Sequence, residues 1–301
     1  MTLSELKYIV AVSRERNFRR AAERCFVTQP ALSLAIQKLE GDLGVQIFER
    51  KKTKVSLTAV GEHIVEQATR VLEEADKIKD IARLGASPLL GAIRIGLIYT
   101  VAPYLLPELI PLLRQNAPEM PLDVEENTTA NLEVQLRQGL VDVAVIALPF
   151  ELPGIETAAL YDEDFVVVVP SDHAWANRKA ILSSDLADEK VLLLNSGHCF
   201  SNQLNQACPE LTKSGEVLQG NSLETIRNMV ASGLGITVLP RSAASERYAN
   251  PLLKVIPFSA PVPTRRIALA WRKSFGRVDA VKVLAESVRA IKSECFDVVK
   301  G

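Results

Sequence analysis

The run Arg19-Arg20-Ala21-Ala22-Glu23-Arg24-Cys25-Phe26-Val27-Thr28-Gln29-Pro30-Ala31-Leu32-Ser33-Leu34-Ala35-Ile36-Gln37-Lys38-Leu39 decides how the first part of the chain folds. Ala21 and Ala22 are small enough to let another helix approach closely, and Phe26-Val27 is an apolar connection short enough for a helix-turn-helix. Thr28 reads as the cap of the second helix, its hydroxyl accepting from the amides of the next turn. Pro30 falls in that first turn, where a missing N–H costs nothing. Leu32, Ile36 and Leu39 share one face. Gln29, Ser33, Gln37 and Lys38 fall away from it. A buried stripe would thus hold the helix while amide, hydroxyl and ammonium groups stay available for base edges and phosphates. Any amphipathic surface helix shows such a split, so the preceding short helix, the tight turn and the local charge supply the discrimination.

Upstream, Leu3, Leu6, Ile9, Val10 and Val12 recur near helical spacing, and Asn17-Phe18 closes that run. Downstream, residues 45–48 and 55–57 flank the basic turn Arg50-Lys51-Lys52-Thr53-Lys54. They read as a hairpin wing whose cations reach phosphates beside the groove. Residues 1–58 hold eleven Lys or Arg against six acids, a net +5 inside a chain of net −1. A basic module on an acidic body is the charge footprint of a nucleic-acid binder, and a solvated face is the competing explanation.

Residues 58–84 read as one long helix capped by Thr58. Ile64, Ala68, Val71, Ala75 and Ile78 step alternately by four and three, an a/d seam suited to a dimer helix. At 1.5 Å per residue the helix spans about 40 Å. Packing of the stripe against its own chain is the alternative. Gly85-Ala86-Ser87-Pro88 and Gly91 then mark a hinge. Beyond it strands and helices alternate. Strands are expected at 93–96, 122–125, 141–147, 165–169, 191–194, 236–239 and 267–271, and helices at 103–115, 131–138 and 222–232.

At 301 residues, 48% hydrophobic and 24% charged, the chain has the make-up of a soluble globular protein of two or three units. It contains neither an 18-residue apolar run nor a signal-peptide pattern, so no membrane partner is expected and the cytoplasm is the expected compartment. No Walker loop, G-x-G-x-x-G, H-E-x-x-H or G-x-S-x-G occurs, which argues against an enzyme. The four cysteines and three histidines lack zinc-ligand spacing, so neither a metal nor a cofactor is expected.

The segment Asn195-Ser196-Gly197-His198-Cys199-Phe200-Ser201-Asn202-Gln203-Leu204-Asn205-Gln206-Ala207-Cys208 carries two thiols nine positions apart. Fully extended, nine residues hold their Cα atoms roughly 30 Å apart, whereas a disulfide needs about 4.4–6.8 Å. Such a segment can exist open or closed. His198 beside Cys199 favours a thiolate there, which makes it the attacking sulfur and Cys208 the resolving one. The bland reading is two small core residues, with Phe200, Leu204 and Ala207 as apolar surroundings.

The order Phe18, Ala21-Ala22, Thr28-Gln29-Pro30-Ala31-Leu32-Ser33, Leu39-Glu40, Leu43-Gly44-Val45, Phe48-Glu49-Arg50, Leu57-Thr58 and Gly61 resembles the winged helix-turn-helix of LysR-type transcriptional regulators. The resemblance implies an α/β protein with a DNA-binding module (1–58), a linker and dimerisation helix (59–84), a hinge (85–91) and a two-lobed regulatory domain (92–301). That domain would be periplasmic-binding-protein-like, with lobe I at 92–161 and 267–301 and lobe II at 162–266. Thr28, Gln29, Pro30, Ser33, Gln37, Lys38, Arg50, Lys51 and Lys52 would face double-stranded operator DNA. A homodimer or homotetramer, and RNA polymerase as a further partner, follow from the same resemblance.

Most members of the family bind a metabolite between the lobes. Gly197-His198-Cys199 and Cys208, with Tyr99-Thr100-Val101 and Arg265-Arg266, are similar instead to its peroxide-sensing branch. That similarity makes Cys199 the sulfur that attacks hydrogen peroxide and Cys208 its disulfide partner. Thr100, Thr129, His198 and Arg266 would surround the peroxide, and a cellular thiol reductant would reset the pair. Thr100 and Thr129 are also explicable as helix-start residues, and Arg266 as half of an ion pair. One departure stands out: Ser201 and Asn202 occupy places where that branch often has an Arg-Asp pair. A metabolite-responsive regulator with structural cysteines, or a thiol peroxidase carrying a DNA module, are the competing readings.

Overall fold

The computed structural model describes residues 1–51, 54–84, 89–195, 200, 203–204, 208 and 217–299. The side chains of residues 50, 51, 54, 73, 76, 77, 79–84 and 217 are likewise outside that description. The chain forms two compact units, Met1–Gly85 and Ala86–Gly301.

In the first unit, α1 (Leu3–Glu15) opens with a reciprocal cap: Thr2 accepts from the Glu5 amide while Glu5 accepts from the Thr2 amide. Asn17 caps α2 (Phe18–Arg24) by accepting from the amides of Arg19 and Arg20 at 2.9 and 3.1 Å. It therefore starts a helix rather than merely ending one. The turn that follows is a Schellman motif, with Phe26 N–H bonded to Glu23 O and Val27 N–H to Ala22 O. Phe26 fills the position that favours glycine, at φ 56°, with its side chain 96% exposed. α3 (Gln29–Leu43) buries Leu32, Ile36 and Leu39 as expected. Thr28 precedes it in extended conformation, but its hydroxyl makes no capping bond, so Pro30 in the first turn carries the start.

Buried Glu40 was not expected. Its Oε1 accepts from the amides of Ile47 and Phe48 at 2.8 and 3.2 Å, tying α3 to the hairpin. That anchor places the strands at β1 (Phe48–Lys51) and β2 (Lys54–Leu57), so the first strand begins three residues later than the sequence pattern indicates. Thr58 accepts from Gly61 N–H at 2.9 Å and starts α4 (Ala59–Leu84). A Cβ on Gly61 would collide with the Ile47 carbonyl, so only glycine fits where the helix meets the hairpin.

The second unit is built on one mixed sheet. β3 (Ile93–Ile98) lies between parallel neighbours β4 (Leu122–Asn127) and β5 (Val143–Ala147). α5 (Ala102–Asn116) and α6 (Thr129–Arg137) pack beside them. β6 (Ile155–Pro170) is sixteen residues long, and only its second half was legible as a strand. Its first half pairs with β11 (Thr264–Arg272) and its second half with β9 (Ile236–Pro240) and β10 (Leu253–Pro257). β7 (Val191–Leu194) and β8 (Val217–Gly220) extend the β9 side, with α7 (Leu223–Ala231) against them, and β12 (Asp297–Val298) joins β6 at Asp162 and Tyr161. α8 (Val278–Arg289) packs on the β6–β11 region. Two buried cores result, one containing Leu160, Tyr161 and residues 267–270, the other Phe165 to Val169 and Phe258.

Candidate functional site

β3 and β4 run parallel in a register that pairs their last residues, Ile98 and Asn127. Thr100 and Thr129 each follow two residues later, so both sit at the carboxyl edge of the sheet, where ligands gather in open α/β folds. Thr100 lies just before α5 rather than in it, and Thr129 is the first residue of α6, whose cap is Thr128. Thr100 is buried, and its hydroxyl accepts from Arg265 Nη1 at 2.9 Å while its carbonyl accepts from Nη2 at 3.0 Å. The engaged lone pair leaves the Thr100 O–H hydrogen for another acceptor. The Thr129 hydroxyl oxygen is buried and has no hydrogen-bond partner among the described residues. A buried unsatisfied hydroxyl costs about 1–3 kcal/mol, which a small polar ligand would recover.

Arg265 and Glu163 are cross-strand partners where the sheet passes from one core to the other. Their side chains are fully buried, with Nη2 2.7 Å from Oε2. Glu163 Oε1 also accepts from the Ser242 amide at 2.9 Å. The same guanidinium lies 5.7 Å above the ring of Phe200, which packs edge-on against Phe165 at 5.6 Å. One cation thus links Thr100, both strands of the crossover and the residue that follows Cys199 in sequence.

Arg266, expected beside the peroxide, points to the opposite face of β11. It is exposed and forms a two-bond pair with Asp162, both contacts 2.7 Å. Those bonds hold the Asp162 carboxyl below its ordinary pKa and raise that of the guanidinium. The structure therefore places Arg265, not Arg266, against Thr100. His198 and Cys199 lie outside the described residues. Cys208 is fully buried in the second core with Phe200 and Leu204, its amide donating to Leu204 O at 2.7 Å. Gln203 Oε1 is buried with no partner among the described residues, a feature that composition and spacing did not signal.

On the helix-turn-helix, Thr28, Gln29, Pro30, Gln37 and Lys38 are exposed and Ser33 is half-buried. Lys38 Nζ lies 3.9 Å from Glu5 Oε1. Arg50 and Lys51 are in β1 with side chains outside the described residues, and Lys52 is wholly outside them. Along α4 the seam divides. Ile64 and Ala68 pack into the core of their own unit, whereas Val71 and Ile78 are exposed and Ala75 is half-buried.

Residues 3–62 match the family described as bacterial regulatory helix-turn-helix protein, lysR family, and residues 86–292 match the LysR substrate binding domain. The chain belongs to the LysR family of transcriptional regulators. Among related LysR-type proteins, the DNA-binding transcriptional dual regulator OxyR of Escherichia coli K12 is 39% identical over 300 residues, covering 99% of this chain and 98% of that one. The hydrogen peroxide-inducible genes activator of Dickeya chrysanthemi is 40% identical over 290 residues, covering 96% and 95%. A cysteine-to-aspartate variant of full-length OxyR from Pseudomonas aeruginosa superimposes with TM-score 0.82 at 48% identity, covering 100% and 99% of the two chains. A peroxide-bound cysteine variant of Corynebacterium glutamicum OxyR gives 0.65 at 34% identity, covering 96% and 91%. This LysR-type chain therefore joins a winged helix-turn-helix to a two-lobed α/β effector domain.

Proposed function

We propose that the chain is a peroxide-responsive transcriptional regulator in which Cys199 and Cys208 form the switch. The Cys199 thiolate attacks one oxygen of hydrogen peroxide, the O–O bond breaks, and the departing oxygen takes up a proton to leave as water. The sulfenic acid then condenses with the Cys208 thiol, releasing a second water and forming the disulfide. Thr100 and Thr129 supply hydroxyls to peroxide, His198 favours the thiolate, and Arg265 fixes Thr100. The observation that carries this reading is the buried Thr129 hydroxyl, without a partner among the described residues, on the same sheet edge as the Arg265-held Thr100.

Cys208 sits inside the second core in the described state. Drawing it out to meet another sulfur removes an apolar anchor, so oxidation and repacking of that lobe are coupled. The repacked lobe alters how subunits associate, and hence where the readers sit on operator DNA. Residues 1–58 read the DNA, 59–84 pair subunits, 85–91 act as hinge, and the lobes divide near 162 and 266. The working unit is a cytoplasmic homodimer or homotetramer that engages RNA polymerase and is reset by a cellular thiol reductant. It acts stoichiometrically as a regulator, without sustained peroxide turnover.

Peptide mass spectrometry of peroxide-treated protein tests the switch. A 199–208 disulfide, lost in Cys199→Ser together with the peroxide-induced change in DNA footprint, is expected. An unaltered footprint response in that variant would overturn the reading and favour a metabolite effector.

A further inference from the structure

α3 carries an apolar side chain on the side opposite its buried stripe. Leu34 is 68% exposed. At 3.6 residues per turn it lies about 200° around the helix from Ile36, which is fully buried. Its outward neighbours are Pro30 and Ala31 one turn before, and Gln37 and Lys38 one turn after, all exposed. Gly41 continues the same stripe and is exposed too. The centre of the outward face is therefore apolar and low in profile, with an amide and an ammonium at one end.

At 68% exposure Leu34 buries little apolar surface in its own chain, and its isobutyl group has neither donor nor acceptor for a base edge. The major groove offers one apolar feature, the 5-methyl of thymine. Opposite G·C, the same side chain would strip water from N7, O6 and N4 without replacing the lost hydrogen bonds. The small residues at 30, 31 and 41 let the helix sit deep enough for contact at its middle, while exposed Gln37, and Lys38 beside Glu5, offer polar groups at its far end.

We infer that Leu34 is a specificity-determining residue of the DNA reader, packing on a thymine methyl in each half-site and rejecting G·C at that position. The inference rests on the DNA-binding reading of the helix-turn-helix.

The test uses full-length protein and a duplex obtained by selection from random sequence. Each thymine is replaced in turn by deoxyuridine, which removes the methyl and keeps the pairing. For the unaltered protein one symmetry-related thymine pair should respond, with affinity falling about fourfold per methyl, the factor expected for one buried carbon group. Leu34→Ala should bind the thymine duplex more weakly and lose the response at that pair alone. Gln37→Ala should retain it. A flat deoxyuridine scan of the unaltered protein overturns the inference without needing any variant. So does a Leu34→Ala scan in which the methyl effect persists at full size. Failure to select any duplex would instead remove the DNA-binding reading itself.

Discussion

Two threonines on one sheet edge differ in what they lack. The Thr100 oxygen is already bonded to Arg265, whereas Thr129 Oγ1 is buried and unpaired among the described residues. Thr129→Val keeps the shape and removes the orphan, so stability should hold or rise by up to about 1 kcal/mol. If Thr129 serves peroxide, disulfide formation should slow by about 10²-fold, the cost of losing one oriented donor. Denaturant melts and stopped-flow oxidation read the two quantities separately, and a purely structural residue would move only the first. Arg265 and Arg266 form a second contrast. Breaking the buried pair by Glu163→Gln should cost about 3–5 kcal/mol, whereas Arg266→Ala, on an exposed and solvent-screened pair, should cost far less. Urea titration of both variants checks the order. The strand expected from sequence, 267–271, begins after both arginines, and because adjacent strand residues face opposite sides, only the observed strand Thr264–Arg272 reveals that Arg265 turns inward and Arg266 outward. That parity depends on the register with β6, and half of β6 was not legible as a strand.

Elements whose apolar residues repeat with a clean period were legible. The stripe Leu32, Ile36, Leu39 and the runs at β5, β7 and β9 are buried as their patterns require. Elements fixed by polar anchors were not. The hairpin register follows from Glu40 receiving two amides, and the first half of β6, Ile155 to Tyr161, alternates too little for a two-residue period to show. The start of α1 is of the same kind. Glu5 accepts from the Thr2 amide, chiefly for which its carboxyl titrates below the ordinary value, with Lys38 of α3 assisting. A depressed folded-state pKa gives stability that is fully present above the unfolded-state value. It is lost as pH falls through the folded-state one. Thermal melts of the unaltered protein and Glu5→Gln should therefore differ near pH 6, begin to approach each other only below the unperturbed glutamate value of about 4.3, and converge once pH has fallen through the depressed folded-state value. A gap that persists unchanged at low pH would mean that the glutamine differs by packing and not by charge.

At the scale of the whole molecule, the apolar stripe of α4 divides into a buried half and an exposed half. Ile64 and Ala68 are committed to the core of the DNA-binding unit, so that half of the seam stabilises its own chain. Val71 at 36% and Ile78 at 69% exposure continue the same repeat and are exposed among the described residues. A heptad pattern that outlasts its own core has apolar positions left for a second helix, and a subunit pair joined through 71–78 would present two readers to successive half-sites. The two halves should respond oppositely to substitution. Ile78→Glu removes exposed apolar surface, so the unit's own melting should shift by no more than about 0.5 kcal/mol, while sedimentation should move toward monomer. Ala68→Leu forces extra carbons into a filled core and should cost about 1–3 kcal/mol of stability, with self-association of the folded protein preserved. If Ile78→Glu sediments like the unaltered protein, the subunits meet elsewhere and the exposed half of the seam is only a solvated helix face.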